Sequence, residues 1–135
     1  MDVKQAYDHW SEQYDTNINL TRDLEALAFR KVLAEINFDT CLEIGCGTGK
    51  NTAWLAGRAK QITAVDLSNE MLAIAKEKIK ADHVQFLQAD ILQDWNFISS
   101  AYDLVSFSLV LEHIENLELI FNKISKAKLV FCIFA

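Results

Sequence analysis

The sequence predicts an α/β fold in which a mainly parallel sheet of about five strands carries helices on both faces. From residue 40 onwards, short apolar runs alternate with stretches of helical periodicity. This alternation is typical of parallel strands joined by right-handed crossovers. The runs at residues 104–107 and 129–134 are nearly continuous in apolar residues, as expected for strands covered on both faces.

The apolar spacing defines the individual elements in chain order. Strands are predicted at residues 40–44, 62–65, 84–87, 103–108 and 129–134. Helices are predicted at residues 22–36, 50–59, 69–80 and between 117 and 124. Thr21 is expected to cap the first helix, and Ser68 or Asn69 the third, because short polar side chains accept the free N–H groups of a first turn. The apolar residues expected to turn the first helix toward the core are Leu24, Leu27, Ala28, Val32 and Ile36.

The composition indicates one globular domain over residues 1–135. Hydrophobic residues make up 51% and charged residues 24%, the profile of a globular chain. The formal net charge of −6 argues against nucleic acid or an anionic membrane as the main partner, because both attract clustered Lys and Arg. No apolar run approaches the ~18 residues of a membrane span. The first residues also lack the apolar segment of a signal peptide.

The cysteines indicate neither a metal site nor a disulfide framework. Cys41, Cys46 and Cys132 are odd in number and lack the CxxC spacing of zinc ligands. We therefore predict that the protein holds no metal. A cytoplasmic location, where thiols stay reduced, fits this cysteine usage.

Three of the four glycines, Gly45, Gly47 and Gly49, lie directly after the first predicted strand. A strand followed by a glycine loop and a helix brings backbone N–H groups close to a nucleotide-like ligand. The pattern is G-x-G-x-G, because Lys50 stands where a dinucleotide fingerprint has its third glycine. Asn51 after Lys50 excludes the phosphate-binding P-loop. A loop that only makes a tight turn remains the alternative.

Carboxylates follow the next two strands. Asp66 ends the second strand, where its oxygens could accept from both hydroxyls of a ribose; the alternative is a cap for the following helix. Asp90 ends the third strand and could accept from an exocyclic amine such as that of adenine, with Ile91 against the ring. Asp90 is also a common type of turn residue.

Together these segments resemble the class I S-adenosylmethionine-dependent methyltransferases. Residues 42–49 (LEIGCGTG) look like the cofactor loop of that family, and residues 65–68 (VDLS) like its second motif. Residues 88–91 (QADI) resemble the third motif, and residues 103–114 the fourth-strand segment. The resemblance covers roughly residues 7–134, with four motifs in the family's order.

The resemblance implies a Rossmann-like, doubly wound sheet with strand order 3-2-1-4-5 and S-adenosylmethionine as cofactor. Glu43 and the loop would hold the amino-acid part, Asp66 the ribose and Asp90 the adenine amine. Leu67, Met71 and Ile91 would enclose the adenine ring, and Ser108 would lie near the methionyl end. The implied cofactor-binding residues are Glu43, Gly45, Cys46, Gly47, Gly49, Asp66, Leu67, Met71, Asp90, Ile91, Ser108 and Tyr14.

Two further residues come from the chemistry of methyl transfer. Tyr14 lies in residues 1–20, which resemble the N-terminal lid of small-molecule members, and its ring could face a sulfonium by cation–π attraction. His113 is the candidate catalytic base, because it titrates near neutral pH and follows the fourth strand. Ordinary helix packing for Tyr14, and a surface position for His113, are the alternatives.

The expected function is methyl transfer from S-adenosylmethionine to a small molecule. The family domain usually continues with a helix and two antiparallel strands, whereas this sequence stops at Ala135. The alternative is therefore a catalytically inactive cofactor-binding module or short methyltransferase acting as a partner subunit. A nicotinamide-dependent enzyme is a more distant alternative. We also expect two chains to associate through the edge strand from Leu129 to Phe134, because an apolar edge invites pairing.

Overall fold

The computed structural model describes residues 4–5, 20–93, 102–107, 118, 122 and 131–134. Their helices and strands alternate along the chain as α1 (Leu20–Leu33), β1 (Thr40–Ile44), α2 (Lys50–Ala56), β2 (Gln61–Asp66), α3 (Asn69–Lys78), β3 (Val84–Gln88), β4 (Leu104–Phe107) and β5 (Phe131–Phe134). The predicted helix between residues 117 and 124 lies outside the described residues, except that Glu118 and Asn122 have helical backbone.

The five strands form one sheet in the order β3-β2-β1-β4-β5. Every neighbouring pair is parallel. This order confirms the sequence-based prediction of a doubly wound fold. The winding reverses between β1 and β4, and in sheets of this kind ligands bind beyond the carboxyl ends of the strands near that reversal.

The hydrophobic core lies between the sheet and the helices. On one face of the sheet, Cys41 pairs in register with Ile62 on one side and with Leu104 on the other. All four residues of β4 are buried, which confirms that this strand is covered on both faces. The buried hydrophobic cluster comprises Phe29, Leu33, Phe38, Cys41, Cys46, Leu55, Ala59, Ile62, Ala64, Leu72 and Leu104.

Helix α1 presents a different face to the core from the one its sequence predicts. Leu24 is 66% exposed, Leu27 65% and Val32 48%. Phe29 and Leu33, which lie one turn apart, are buried instead. The Phe29 ring meets Trp54 edge to face with the centroids 6.2 Å apart, and a buried aromatic ring removes more apolar area from water than a leucine does.

The start of α1 also differs from the prediction. The helix begins at Leu20, so Thr21 lies inside the helix rather than at its cap. In contrast, Ser68 caps α3 as expected, since its hydroxyl accepts from the Met71 N–H at 3.2 Å. A local hydrogen bond of this kind is easier to predict than the start of a helix whose faces are both partly apolar.

Arg58 fastens the end of α1 to the end of α2. Its Nη2 atom lies 3.3 Å from the Leu33 carbonyl oxygen, 3.2 Å from that of Ala34 and 3.4 Å from that of Ile36. The guanidinium also lies over Trp54, 5.2 Å from the ring centroid. A cation at this position satisfies carbonyl groups that a helix C-terminus leaves without partners.

Replacing Arg58 with methionine is expected to lower the free energy of unfolding by about 1 kcal/mol, a value reduced for the solvent exposure of the side chain. Methionine keeps contact with Trp54 but cannot donate to the carbonyls. Arg58→Lys keeps the charge and should lose about half as much. Urea unfolding monitored by circular dichroism measures the stability of both variants. An unchanged midpoint for Arg58→Met would show that the hydrogen bonds from Arg58 do not stabilise α1.

Two remaining expectations concern the outside of the molecule. Among the described residues, the structure contains no helix long and apolar enough to cross a membrane. Of the described strands, β5 lies at one end of the strand order, where the sequence predicts an edge. Association of two chains through this edge stays a prediction, as does the cytoplasmic location.

Candidate cofactor site

Backbone hydrogen bonds join the segments that follow β1 and β3 to the end of β2, at the carboxyl edge where sheets of this kind have their ligand crevice. The N–H groups of Gly45 and Cys46 donate to the Val65 carbonyl at 2.9 and 3.1 Å. The Ala89 N–H donates to the Asp66 carbonyl at 3.0 Å. The glycine loop, the end of β2 and the end of β3 therefore meet at the carboxyl edge of the sheet.

The glycine loop needs glycine for two different reasons. Gly49 has φ +89°, and a Cβ added there would lie 2.8 Å from Ile79 Cδ1 and 3.2 Å from Ala75 Cβ. Gly47 has φ +55°, but an added Cβ would meet no atom within 4 Å. Gly49 thus lets the loop pack against α3, whereas Gly47 borders open space in which a ligand can touch the main chain.

The Asp66 carboxylate holds the loop in this shape. Its Oδ2 atom accepts from the Gly47 N–H at 2.8 Å, and its Oδ1 atom from the Ser68 N–H at 2.9 Å. The interpretation of Asp66 as the cap of α3 is wrong, because Ser68 is the cap; Asp66 accepts from the Ser68 N–H, which precedes the helix. A carboxylate has about four acceptor positions, so its hydrogen bond to the loop does not by itself exclude a ligand hydroxyl.

Glu43 lies on the same face of the sheet as Cys41, because alternate residues of a strand point to the same face. Its side chain is fully buried, and its Oε1 atom accepts a hydrogen bond from the hydroxyl of Thr52 on α2. In register it pairs with Ala64 on β2 and Ser106 on β4. The sequence did not single out Thr52; a signal was available, since this threonine lies on the predicted helix directly after the glycine loop.

The residues expected around the adenine ring differ in accessibility. Leu67 and Ile91 are half-buried, at the level of the crevice. Gln88 Nε2 donates to the Leu67 carbonyl at 3.1 Å and so ties the two segments together. Met71, in contrast, is 0% exposed. Its contact with a ring stays a prediction that requires the atoms covering Met71 to move.

Asp90 shapes the turn after β3. Its Oδ1 atom accepts from the Leu92 N–H at 3.0 Å, and its carbonyl oxygen from the Gln93 N–H at 3.0 Å. The interpretation as a turn residue is therefore confirmed. This does not exclude ligand contact, because the half-buried carboxylate retains further acceptor positions.

Both thiols near the loop are held in the neutral form. Burial raises the pKa of Cys46 well above its usual range, and the carboxylates of Glu43 and Asp66 raise it further. Burial likewise raises the pKa of Cys41, again with a contribution from Glu43. The Cys46 Sγ atom lies 3.8 Å from the Gly47 carbonyl oxygen. Cys46 therefore packs under the loop as an unreactive thiol rather than as a nucleophile.

These pKa directions predict how stability depends on pH. The unfolded chain releases each thiol proton near pH 8.5, whereas folded Cys41 and Cys46 keep theirs to higher pH. Stability should therefore be unaffected below about pH 8 and fall above it, by up to about 1.4 kcal/mol per pH unit for each thiol. Urea unfolding between pH 7 and 10 measures this. A Cys41→Ala, Cys46→Ala variant should show a shallower fall, and an equal slope in both proteins would contradict the assignment.

Three residues of the expected site lie outside the described residues: Tyr14, Ser108 and His113. Their assignments stay predictions. Across residues 20–93 and the other described positions, no group of three or more His, Cys, Asp or Glu side chains could hold a metal ion.

The fold and the crevice define a class of protein. A doubly wound parallel sheet with a glycine loop after β1 and a carboxylate after β2 is the arrangement of nucleoside-cofactor-binding α/β proteins. At Gly47 no atom lies within 4 Å of the position of a Cβ, and the N–H of the same residue binds the Asp66 carboxylate.

Comparison with known proteins identifies the family within this class. The profile described as a methyltransferase domain matches residues 42–127, which is more than half of the chain. The chain belongs to this family, the class I S-adenosylmethionine-dependent methyltransferases. The sequence-based resemblance is thereby confirmed, and with it S-adenosylmethionine as the cofactor that goes with the family.

This chain matches only part of the length of each relative. A malonyl-[acyl-carrier protein] O-methyltransferase of Priestia megaterium is 37% identical over 87 residues, which are 63% of this chain and 31% of the relative. An rRNA adenine N-6-methyltransferase of Escherichia coli is 34% identical over 85 residues, 57% of this chain and 35% of that protein. The solved DhpI-SAM-HEP complex aligns with a TM-score of 0.80 and 31% identity, covering 91% of this chain and 57% of the other. This chain thus spans about a third of these two relatives.

Proposed function

We propose that this protein binds S-adenosylmethionine in the crevice beside the glycine loop and transfers its methyl group to a small-molecule acceptor. One observation carries the proposal: the Asp66 carboxylate accepts from the Gly47 N–H at 2.8 Å, next to a glycine whose missing Cβ leaves open space. Family membership supplies the cofactor, and this geometry supports the place where it would bind.

The residues around the crevice would mainly bind the cofactor and orient it. Asp66 would accept from the ribose hydroxyls, and Asp90 from the adenine amine, with Leu67 and Ile91 against the ring. When bound, the cofactor supplies an activated methyl group on a sulfonium, so the protein's task is to align the acceptor and exclude water. A general base is needed only for an acceptor that must lose a proton, and His113 is the proposed residue for that role.

The class of acceptor is supported by charge. A net charge of −6 opposes the approach of a polyanion, because binding of nucleic acid depends on clustered cations. The relatives differ in this respect: one is named for malonyl-[acyl-carrier protein] and another for rRNA adenine. We therefore include RNA as an outcome of the test.

Calorimetric titration with S-adenosylhomocysteine, followed by a methyl-release assay, tests the proposal. Binding in the micromolar range and turnover with a small-molecule acceptor are expected. No binding would overturn the cofactor assignment, whereas turnover on an rRNA transcript alone would overturn the acceptor class. Binding without turnover on any acceptor would favour the alternative, an inactive cofactor-binding module.

A further inference from the structure

Two carboxyl groups lie close to the glycine loop. Asp66 binds the loop through the Gly47 N–H at 2.8 Å, and Glu43 lies near the end of β1 and is fully buried. Burial matters here because charges interact more strongly where water does not screen them. The Glu43 carboxyl group therefore lies where a charge on it would act strongly on the loop.

The field of Glu43 reaches the loop itself. The pKa of Cys46, the residue between the first two loop glycines, is raised by burial and then by the carboxylates of Glu43 and Asp66. A charge that disfavours a thiolate at this place favours a cation there by the same interaction. In S-adenosylmethionine, the amino-acid part carries such a cation, its ammonium group.

The orientation of the Glu43 carboxylate depends on a residue outside the crevice. Thr52 is 0% exposed, lies on α2 directly beyond the loop, and donates its hydroxyl hydrogen to Glu43 Oε1. Burial of a threonine hydroxyl costs free energy unless it is hydrogen-bonded. This hydrogen bond satisfies the hydroxyl and fixes one oxygen of the carboxylate at the same time.

We propose that Thr52 is a positioning residue for recognition of the amino-acid part of the cofactor. Its hydroxyl holds the Glu43 carboxylate under the loop, and this carboxylate then attracts the ammonium group of the ligand. Without the hydroxyl, the carboxylate turns away or becomes protonated, since a buried charge that loses a donor is costly. The inference rests on the proposed function and adds to it the residue that determines selectivity.

Two ligands separate positioning from general damage to the loop. S-adenosylhomocysteine carries the amino-acid part, whereas 5′-methylthioadenosine contains the adenosine and sulfur without it. Thr52→Val, which keeps the shape but not the hydroxyl, should weaken S-adenosylhomocysteine binding by about tenfold and leave 5′-methylthioadenosine within twofold. Thr52→Ser, which keeps the hydroxyl, should restore the selectivity of the wild type.

Isothermal titration calorimetry of both ligands provides the test, with Glu43→Gln and the Glu43→Gln, Thr52→Val double variant completing a cycle. The double variant should match Glu43→Gln alone, because Thr52 acts through Glu43. Equal weakening of both ligands by Thr52→Val, or no weakening at all, would overturn the inference. Thr52→Ala replaces the valine variant if that protein does not fold. If the wild type binds neither ligand, the proposed function fails and the inference fails with it.

Discussion

Replacing Gly49 with alanine is expected to lower the free energy of unfolding by about 2–5 kcal/mol. Two costs add at this position. A φ of +89° is strained for a residue with a Cβ, and the new Cβ would lie 2.8 Å from Ile79 Cδ1 and 3.2 Å from Ala75 Cβ. The Ile79 side chain can turn, but Ala75 on α3 cannot move without displacing the helix.

Gly57 provides a matched control at the other end of the same short helix. It has φ −83°, and an added Cβ would meet only the Trp54 carbonyl oxygen at 3.6 Å, an ordinary contact. Gly57→Ala should therefore change stability by less than about 0.5 kcal/mol. Urea unfolding of both variants gives the comparison. A Gly49→Ala loss no larger than that of Gly57→Ala would contradict the packing of the loop against α3.

Replacing Asp66 with alanine is expected to weaken S-adenosylhomocysteine binding by about 100-fold, from the loss of about two charge-assisted hydrogen bonds. Two effects combine. The ribose would lose its acceptor, and the loop would lose the hydrogen bonds from Gly47 and Ser68 that now hold its shape at 2.8 and 2.9 Å. Calorimetric titration measures the change.

Asp82→Ala serves as the control for the Asp66 variant, because Asp82 is exposed and lies in the turn before β3, at the opposite edge of the sheet. The Asp82→Ala variant should bind S-adenosylhomocysteine as tightly as the wild type does. Gly47→Ala keeps the Asp66 carboxylate and adds a Cβ that meets no protein atom within 4 Å. Because a φ of +55° strains an alanine by about 1–2 kcal/mol, its urea unfolding is measured beside its affinity. A loss of binding larger than the loss of stability would mark obstruction of the ligand. An Asp66→Ala affinity within twofold of the wild type would show that the ligand binds elsewhere.

The parts of the fold that the sequence predicts correctly are those with a local cause. Strand β1 has the predicted bounds, Thr40–Ile44, because an apolar run is followed at once by glycine. Ser68 caps α3 because a short hydroxyl precedes a helical pattern. The parallel sheet follows from the alternation of strands and helices with right-handed crossovers, whereas the strand order 3-2-1-4-5 came from the resemblance to the family.

The face that α1 buries could not be predicted from spacing alone. Leu24 and Leu27 lie at helical spacing, yet they are 66% and 65% exposed. Phe29 is buried in their place because α2 brings Trp54 against it. Trp54 comes from a later part of the chain than α1. When a helix has apolar residues on two faces, the elements that pack against it determine which face is buried.

The candidate site likewise contains residues that the sequence predicts and residues that it does not. Gly45, Gly47, Gly49 and Asp66 were predicted from their places after strands, and the structure brings them together. Thr52 was missed because its role depends on a contact across the core, nine residues from its partner Glu43. Met71 lies on the apolar face of its helix and is 0% exposed; its contact with the adenine stays a prediction, since a methionine facing a ligand and one facing the core have the same helical spacing.

A crystal structure of the protein with S-adenosylhomocysteine would test the central claim most directly. The ribose hydroxyls should lie within hydrogen-bond distance of the Asp66 carboxylate, with the ligand passing over Gly47 where the structure is open. The amino-acid part should lie at the loop above Glu43. Ligand density away from the glycine loop, or a ribose out of reach of Asp66, would contradict the assignment of this crevice as the cofactor site.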